Sequence, residues 1–158
     1  MFNLFKKSVD NNIYSPVNGE MIPLENVPDK VFAEKMMGDG VAFKLKDGNI
    51  YAPCDGEIAM VFPTKHAIGF VANNGAEILI HVGLDTVNLN GEGFELIKSS
   101  GKVKHGELVL KVDVKALEAK GICLDTPMVI TNGSDVEMTI KENKEITTAS
   151  VVMGITKK

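Results

Sequence analysis

The sequence predicts an all-β protein: an antiparallel sandwich or barrel-like fold with a duplicated element and one or two short helices. Three observations lead there. Short runs of apolar and β-branched residues recur along the whole chain. Turn signals such as Lys46-Asp47-Gly48-Asn49, Lys104-His105-Gly106 and Asn132-Gly133 separate them. Finally, Tyr14-Ser15-Pro16-Val17-Asn18-Gly19-Glu20-Met21 returns as Tyr51-Ala52-Pro53-Cys54-Asp55-Gly56-Glu57-Ile58, sharing Tyr-x-Pro-x-Asx-Gly-Glu-apolar. Two copies are too few for a solenoid and fit a repeated element within one fold.

The elements follow in order. Residues 1–12 read as a flexible terminus ahead of a single domain over 13–158. The first residues alternate apolar and basic character, but so short a stretch makes a marginal helix in water. Each copy of the repeat reads as strand, Pro-x-Asx-Gly turn, strand. A helical turn is expected within 28–37, closed by Gly38. Strands follow at 41–45, 49–52, 56–62, 67–72, 76–82 and 107–112. A helix over 114–120 has Asp113 as its cap and Gly121 at its end. Strands at 128–131, 136–140 and 146–152 complete the chain. The glycine-rich stretches Gly38-Asp39-Gly40 and Gly91-Glu92-Gly93 lack the strand–helix setting and Lys-Ser/Thr of a phosphate loop, and read as turns. His105, in its Lys-His-Gly turn, is expected only to be solvent-exposed.

Composition narrows the function. The chain has 158 residues, 44% hydrophobic and 24% charged, with a net charge of −4 that argues against a nucleic-acid binder. No apolar run approaches the ~20 residues of a membrane span. Cys54 and Cys123 have no paired spacing and are expected as reduced thiols in cytosol. All 17 basic residues are lysine. Without arginine, this chain has no bidentate fork for a phosphate or carboxylate. Charge on a transferred group falls to backbone amides, histidine, lysine or a partner.

Chemistry concentrates at His66 and His81, which flank a predicted β-hairpin turning at Asn73-Asn74-Gly75. A two-residue Asn74-Gly75 loop places both imidazoles on one face, diagonally; an Asn73-Asn74 loop pairs them directly. A three-residue loop would put them on opposite faces. The sequence favours the shared face. Two neighbouring imidazoles support three schemes. In a phosphoryl relay, neutral His81 attacks a donor and His66 hydrogen-bonds the phosphoryl oxygen, its tautomer fixed by a hydroxyl such as Thr64. In a zinc site, Asp85 or Asp29 supplies a third ligand. In the third, the two rings bond only each other or water.

The run from Glu77 to Phe94, which includes His81-Val82-Gly83-Leu84-Asp85, resembles the active-site signature of the glucose-type enzyme IIA component of the bacterial phosphoenolpyruvate-dependent sugar phosphotransferase system. The similarity extends from about Tyr14 to the C-terminus, through Val27-Pro28-Asp29, Thr64-Lys65-His66-Ala67 and Leu124-Asp125-Thr126-Pro127. It implies an antiparallel β-sandwich with a duplicated hybrid motif, and a phosphocarrier in sugar uptake. His81 would be phosphorylated at Nε2, His66 would stabilise the phosphoryl group and Thr64 would orient His66. Asp29 and Asp85 match the acidic pair flanking the site, and Val31, Phe32, Met36, Met37, Phe62, Leu79 and Val87 its apolar rim. The implied donor is the phosphocarrier HPr, and the acceptor a IIB domain of a sugar permease. No cofactor is required by the resemblance, which allows a zinc ion at His66 and His81 only with a regulated partner. It also implies a cytoplasmic protein that meets the membrane through the permease.

Two rivals come from other classes. A zinc hydrolase on a related duplicated sandwich would need a His-x-His element, which is lacking. A biotinyl- or lipoyl-type carrier, suggested by Gly101-Lys102-Val103-Lys104-His105-Gly106, would need a Met-Lys-Met attachment hairpin, also lacking.

Overall fold

The two copies of the sequence repeat are hydrogen-bonded to each other. The Tyr14 N–H donates to the Pro53 carbonyl at 2.8 Å, and the Tyr51 N–H donates to the Pro16 carbonyl at 2.7 Å. Each copy opens with the same Asn-Ile-Tyr strand: β1 (Asn12–Tyr14) and, after β2 (Gly19–Pro23) and β3 (Asp39–Leu45), β4 (Asn49–Tyr51). Ile13 and Ile50, at the centres of these strands, are both fully buried. The duplication thus builds two matched edges around one core.

The computed structural model describes residues 8–158, so most of the expected flexible terminus lies outside the described residues. The remaining strands are β5 (Gly56–Val61), β6 (Ala67–Ala72), β7 (Glu77–His81), β8 (Phe94–Leu96), β9 (Gly101–Val103), β10 (Leu108–Val112), β11 (Thr126–Ile130), β12 (Val136–Ile140), β13 (Glu145–Ile146) and β14 (Val151–Lys157). One sheet of eight strands runs β13-β2-β3-β11-β7-β6-β5-β9. Two smaller sheets run β1-β14-β12 and β4-β10-β8. All strand pairings are antiparallel, and the all-β class read from the sequence holds.

Period-two alternation sorts the large sheet's side chains between two apolar clusters. Phe43, Ile68, Phe70, Ile78, Ile80 and Met128 face the main core, with Ile13, Ile50, Leu110 and Met153 from the smaller sheets. Ala42, Ala67, Leu79 and Val129 face the other way, into a second cluster closed by Leu24, Val27, Phe32 and Leu84. This second cluster supports the site described below.

The helices are short. α1 (Lys30–Ala33) is capped by Asp29, whose carboxylate accepts from the Val31 and Phe32 N–H groups. It occupies only part of the helical stretch expected within 28–37, which the chain leaves at Lys35 with a φ of 61°. α2 (Val114–Ala119) is capped by Asp113, as its sequence predicts.

Three details differ from expectation. The strand read over 146–152 is broken: β13 ends at Ile146, and a turn closed by the Ser150 N–H to the Thr147 carbonyl precedes β14. Thr147 and Ser150 hydroxyls accept local backbone N–H groups there, competing with the ladder. β8 and β9 were not anticipated, since three residues are too few for a periodic signal. The third difference, the β6–β7 loop, bears on the site.

Candidate functional site

The β6–β7 ladder pairs Ala67 with His81, Ile68 with Ile80 and Phe70 with Ile78. This register leaves Asn73, Asn74 and Gly75 as a three-residue loop. The Ala72 N–H donates to the Ala76 carbonyl at 2.9 Å, the Ala76 N–H donates to Asn74 Oδ1 at 3.0 Å, and Gly75 takes the left-handed conformation. Neither two-residue loop expected from Asn-Gly forms. Strict alternation would therefore carry His66 to the face opposite His81.

The rings nevertheless meet. Their centroids lie 4.8 Å apart, edge to face at 76°. The cause is at Lys65, whose φ of 61° turns the chain immediately before β6. Its N–H bonds the Phe62 carbonyl at 2.8 Å, and the Phe62 N–H bonds the Ala67 carbonyl at 3.0 Å. His66 stands just outside the strand. Its carbonyl still accepts from the Val82 N–H at 2.7 Å, but its side chain leaves the pleat and swings onto the face of His81.

Hydrogen bonds set the roles of the ring nitrogens. His81 Nδ1 lies 2.7 Å from the Gly83 carbonyl oxygen. A carbonyl only accepts, so Nδ1 carries the proton and the neutral ring keeps its lone pair on Nε2. His66 Nδ1 lies 2.6 Å from Thr64 Oγ1. With the hydroxyl donating, the proton of neutral His66 resides on Nε2. The Gly83 carbonyl is a site component missed by sequence reasoning, because backbone groups carry no residue signature. The sharp His-Val-Gly turn, with Gly83 at a φ of 77°, was the available signal.

Aromatic rings pack behind both imidazoles. Phe32 lies 5.0 Å from His81 between centroids, and Phe62 contacts His66 edge-on at 5.4 Å. His66 is buried, with 2% exposure, whereas His81 is half-buried. Burial and the neighbouring His81 push the His66 pKa down to about 4. Burial also lowers that of His81, while the bond to Gly83 and the carboxylates of Asp29 and Asp85 pull it upward. Both rings are thus poised to be neutral at pH 7, with nearby acceptors for positive charge developing on His81.

Of the expected rim residues, Val31, Met36, Met37 and Val87 are exposed. Phe32 and Leu79 are corrected to the floor, because both are buried in the second apolar cluster, and half-buried Phe62 packs against it. Asp29 doubles as the α1 cap, and Asp85 occupies a left-handed position at the head of the Thr86–Leu89 turn. Among the described residues, neither Asp29 nor Asp85 stands with the histidine pair in a three-ligand group, although both carboxylates act on His81. His105, expected to be simply solvent-exposed, is half-buried and stacks on Tyr14.

The arrangement offers a nucleophilic nitrogen, an adjacent ring N–H and an apolar collar. A family model described as phosphoenolpyruvate-dependent sugar phosphotransferase system, EIIA 1, matches residues 11–136, taking in both histidines. The chain is 44% identical over 151 residues to the PTS system glucose-specific EIICBA component of Staphylococcus saprophyticus, an alignment spanning 95% of this chain and only 22% of that protein. It is also similar to the solved glucose permease IIA from Mycoplasma capricolum, with a TM-score of 0.80 and 37% identity over 90% of this chain and 93% of that one. The sandwich, the duplicated motif and the sequence match agree, and the chain belongs to the EIIA 1 family of the phosphoenolpyruvate-dependent sugar phosphotransferase system, the phosphocarrier components of sugar phosphotransfer.

Proposed function

We propose that His81 Nε2 accepts a phosphoryl group from phospho-HPr and passes it to a cysteine of a permease IIB domain. The observation that carries this reading is the 2.7 Å contact from His81 Nδ1 to the Gly83 carbonyl, which leaves Nε2 unprotonated. In the first transfer the donor's P–N bond breaks as the P–Nε2 bond forms. The phosphorylated ring then carries a positive charge with its proton on Nδ1. The Gly83 carbonyl accepts that N–H, and Asp29 and Asp85 favour the charge. His66, held by Thr64, donates its Nε2–H to a phosphoryl oxygen. Phosphoryl transfer asks chiefly for positioning and charge stabilisation, and these residues supply both.

The exposed Val31, Met36, Met37 and Val87 form an apolar docking rim beside the acidic pair. With no arginine of its own, the chain suits a basic donor that brings the guanidinium. The setting is cytoplasmic, and among the described residues no helix is long and apolar enough to cross a membrane. A zinc ion shared with a regulated partner would occupy the same two Nε2 atoms, so phosphorylation and such a complex would exclude each other.

Intact-mass measurement with phosphoenolpyruvate and the general relay proteins tests the assignment. One acid-labile phosphoryl group should appear on the chain and vanish in His81→Ala. Persistent labelling of that variant would reassign the nucleophile.

A further inference from the structure

We infer that Asp10, Asp55 and His105 form a second functional site, one that binds a divalent cation of the zinc class. The three residues come from separate segments: the approach to β1, the β4–β5 turn and the β9–β10 turn. One carboxylate oxygen from each aspartate and one ring nitrogen of His105 all lie within 4.8 Å of one another. None of these residues takes part in the histidine pair described above.

The donor set has the right chemistry. Two carboxylates and a neutral imidazole carry a charge of −2, matching a divalent ion. The ring nitrogen selects against calcium and magnesium, which favour oxygen ligands, and towards zinc, nickel or copper. Three protein ligands leave a position for water. Ligand atoms about an ion at ~2.1 Å sit ~3–4 Å apart, so binding would draw the group inward by side-chain rotation.

The surroundings also match those of a metal site. Tyr14 stacks face-on against His105, with centroids 3.8 Å apart and planes at 10°, which fixes the ring. The Tyr14 hydroxyl donates to Asp10 Oδ2 at 2.6 Å, and the Asn12 N–H donates to Asp10 Oδ1 at 2.9 Å. The His105 N–H donates to Asp55 Oδ1 at 3.1 Å. Such partners orient ligands while leaving lone pairs for an ion. The backbone frame is tied as well: the Gly106 N–H bonds the Ala52 carbonyl and the Asn73 N–H bonds the Asp55 carbonyl, both at 2.9 Å. All three ligand residues are half-buried, partly shielded yet reachable. An ion here would clasp the approach to β1 to both turns and stabilise the fold by mass action.

Zinc chloride titrated against a chromophoric chelator tests this on the full chain carrying His66→Gln and His81→Gln, which removes the other imidazoles. The expected result is one zinc per chain, bound at least tenfold more weakly after His105→Gln or Asp55→Asn. The Asp55→Asn amide oxygen can still accept the His105 N–H, so this variant keeps the turn. Zinc should also shift the His105 ring resonances. Two results would overturn the site: no binding below millimolar zinc in this background, or binding unchanged by either substitution. The first would leave His105 as an imidazole paired with two carboxylates and nothing more.

Discussion

Ala67 is the ladder partner of His81, yet it is the ring of His66 that lies 4.8 Å from the His81 ring. The left-handed turn at Lys65 accounts for the difference. A β-branched residue resists that conformation, and glycine adopts it freely. Lys65→Val should destabilise the domain by about 1–2 kcal/mol and slow phosphoryl transfer, whereas Lys65→Gly should match or slightly exceed the parent in stability. Urea denaturation together with a transfer assay checks both. Equal behaviour of the two variants would remove Lys65 from the account.

Gly83 serves through its carbonyl but also through its lack of a side chain. A Cβ there would sit 2.6 Å from Thr86 Cγ2 and 3.1 Å from Leu124 Cδ2, at a φ of 77°. Thr86 is fully buried and tied to the Val82 carbonyl, so it has little room to yield. Gly83→Ala is expected to lower stability by about 2 kcal/mol and to slow phosphoryl acceptance at saturating donor by displacing the His81 acceptor. Unchanged acceptance would show that the carbonyl does not set the tautomer.

The Thr64–His66 pair separates acceptance from delivery. His66→Gln should still become phosphorylated but hand the group on poorly, since an amide donates a hydrogen bond without imidazole's proton adaptability. Thr64→Val removes the 2.6 Å partner of Nδ1 and should cut transfer about tenfold. Nitrogen NMR of the ring should show a mixed tautomer in that variant. A single unchanged tautomer with full transfer would leave Thr64 a packing residue.

Acid should act on folding and on chemistry. His66 titrates at about 4 in the folded chain, against an ordinary imidazole value near 6.5 once unfolded. Between those values the unfolded state binds more protons, so stability falls as pH drops from 6.5 towards 4 and this contribution levels off below. Urea midpoints across that range should decline less in His66→Gln. The acceptance rate should be flat above neutrality and fall in acid as His81 Nε2 is protonated. A rate rising towards pH 5 would contradict a neutral nucleophile.

Much of the architecture was readable before the structure, because alternation and turn chemistry are local. The strand 136–140 and the Asp113-capped helix appear as predicted. His66, His81 and Thr64 stand out in the sequence because their residue types announce their chemistry, and the fold brings the three side chains together. At Asn73-Asn74-Gly75 the Asn-Gly pair suits either loop length, and only the cross-strand register decides for three residues. The predicted shared face was reached by another route, through the backbone reversal at Lys65. An apolar residue type does not distinguish an exposed rim from the floor beneath it, and Phe32 on α1 and Leu79 on β7 both lie in that floor. The grouping of Asp10, Asp55 and His105 depends on three distant segments converging, which no local pattern encodes.

The pairing of β1 with β14 joins Asn12 to Gly154 and Ile13 to Met153. During synthesis, β1 must therefore wait for β14 before its ladder can close. Closure of this sheet follows the emergence of β14, with loop-closure entropy slowing the final zipper. Ribosome-stalled chains lacking the last segment should remain open to proteases well after the histidine hairpin has emerged.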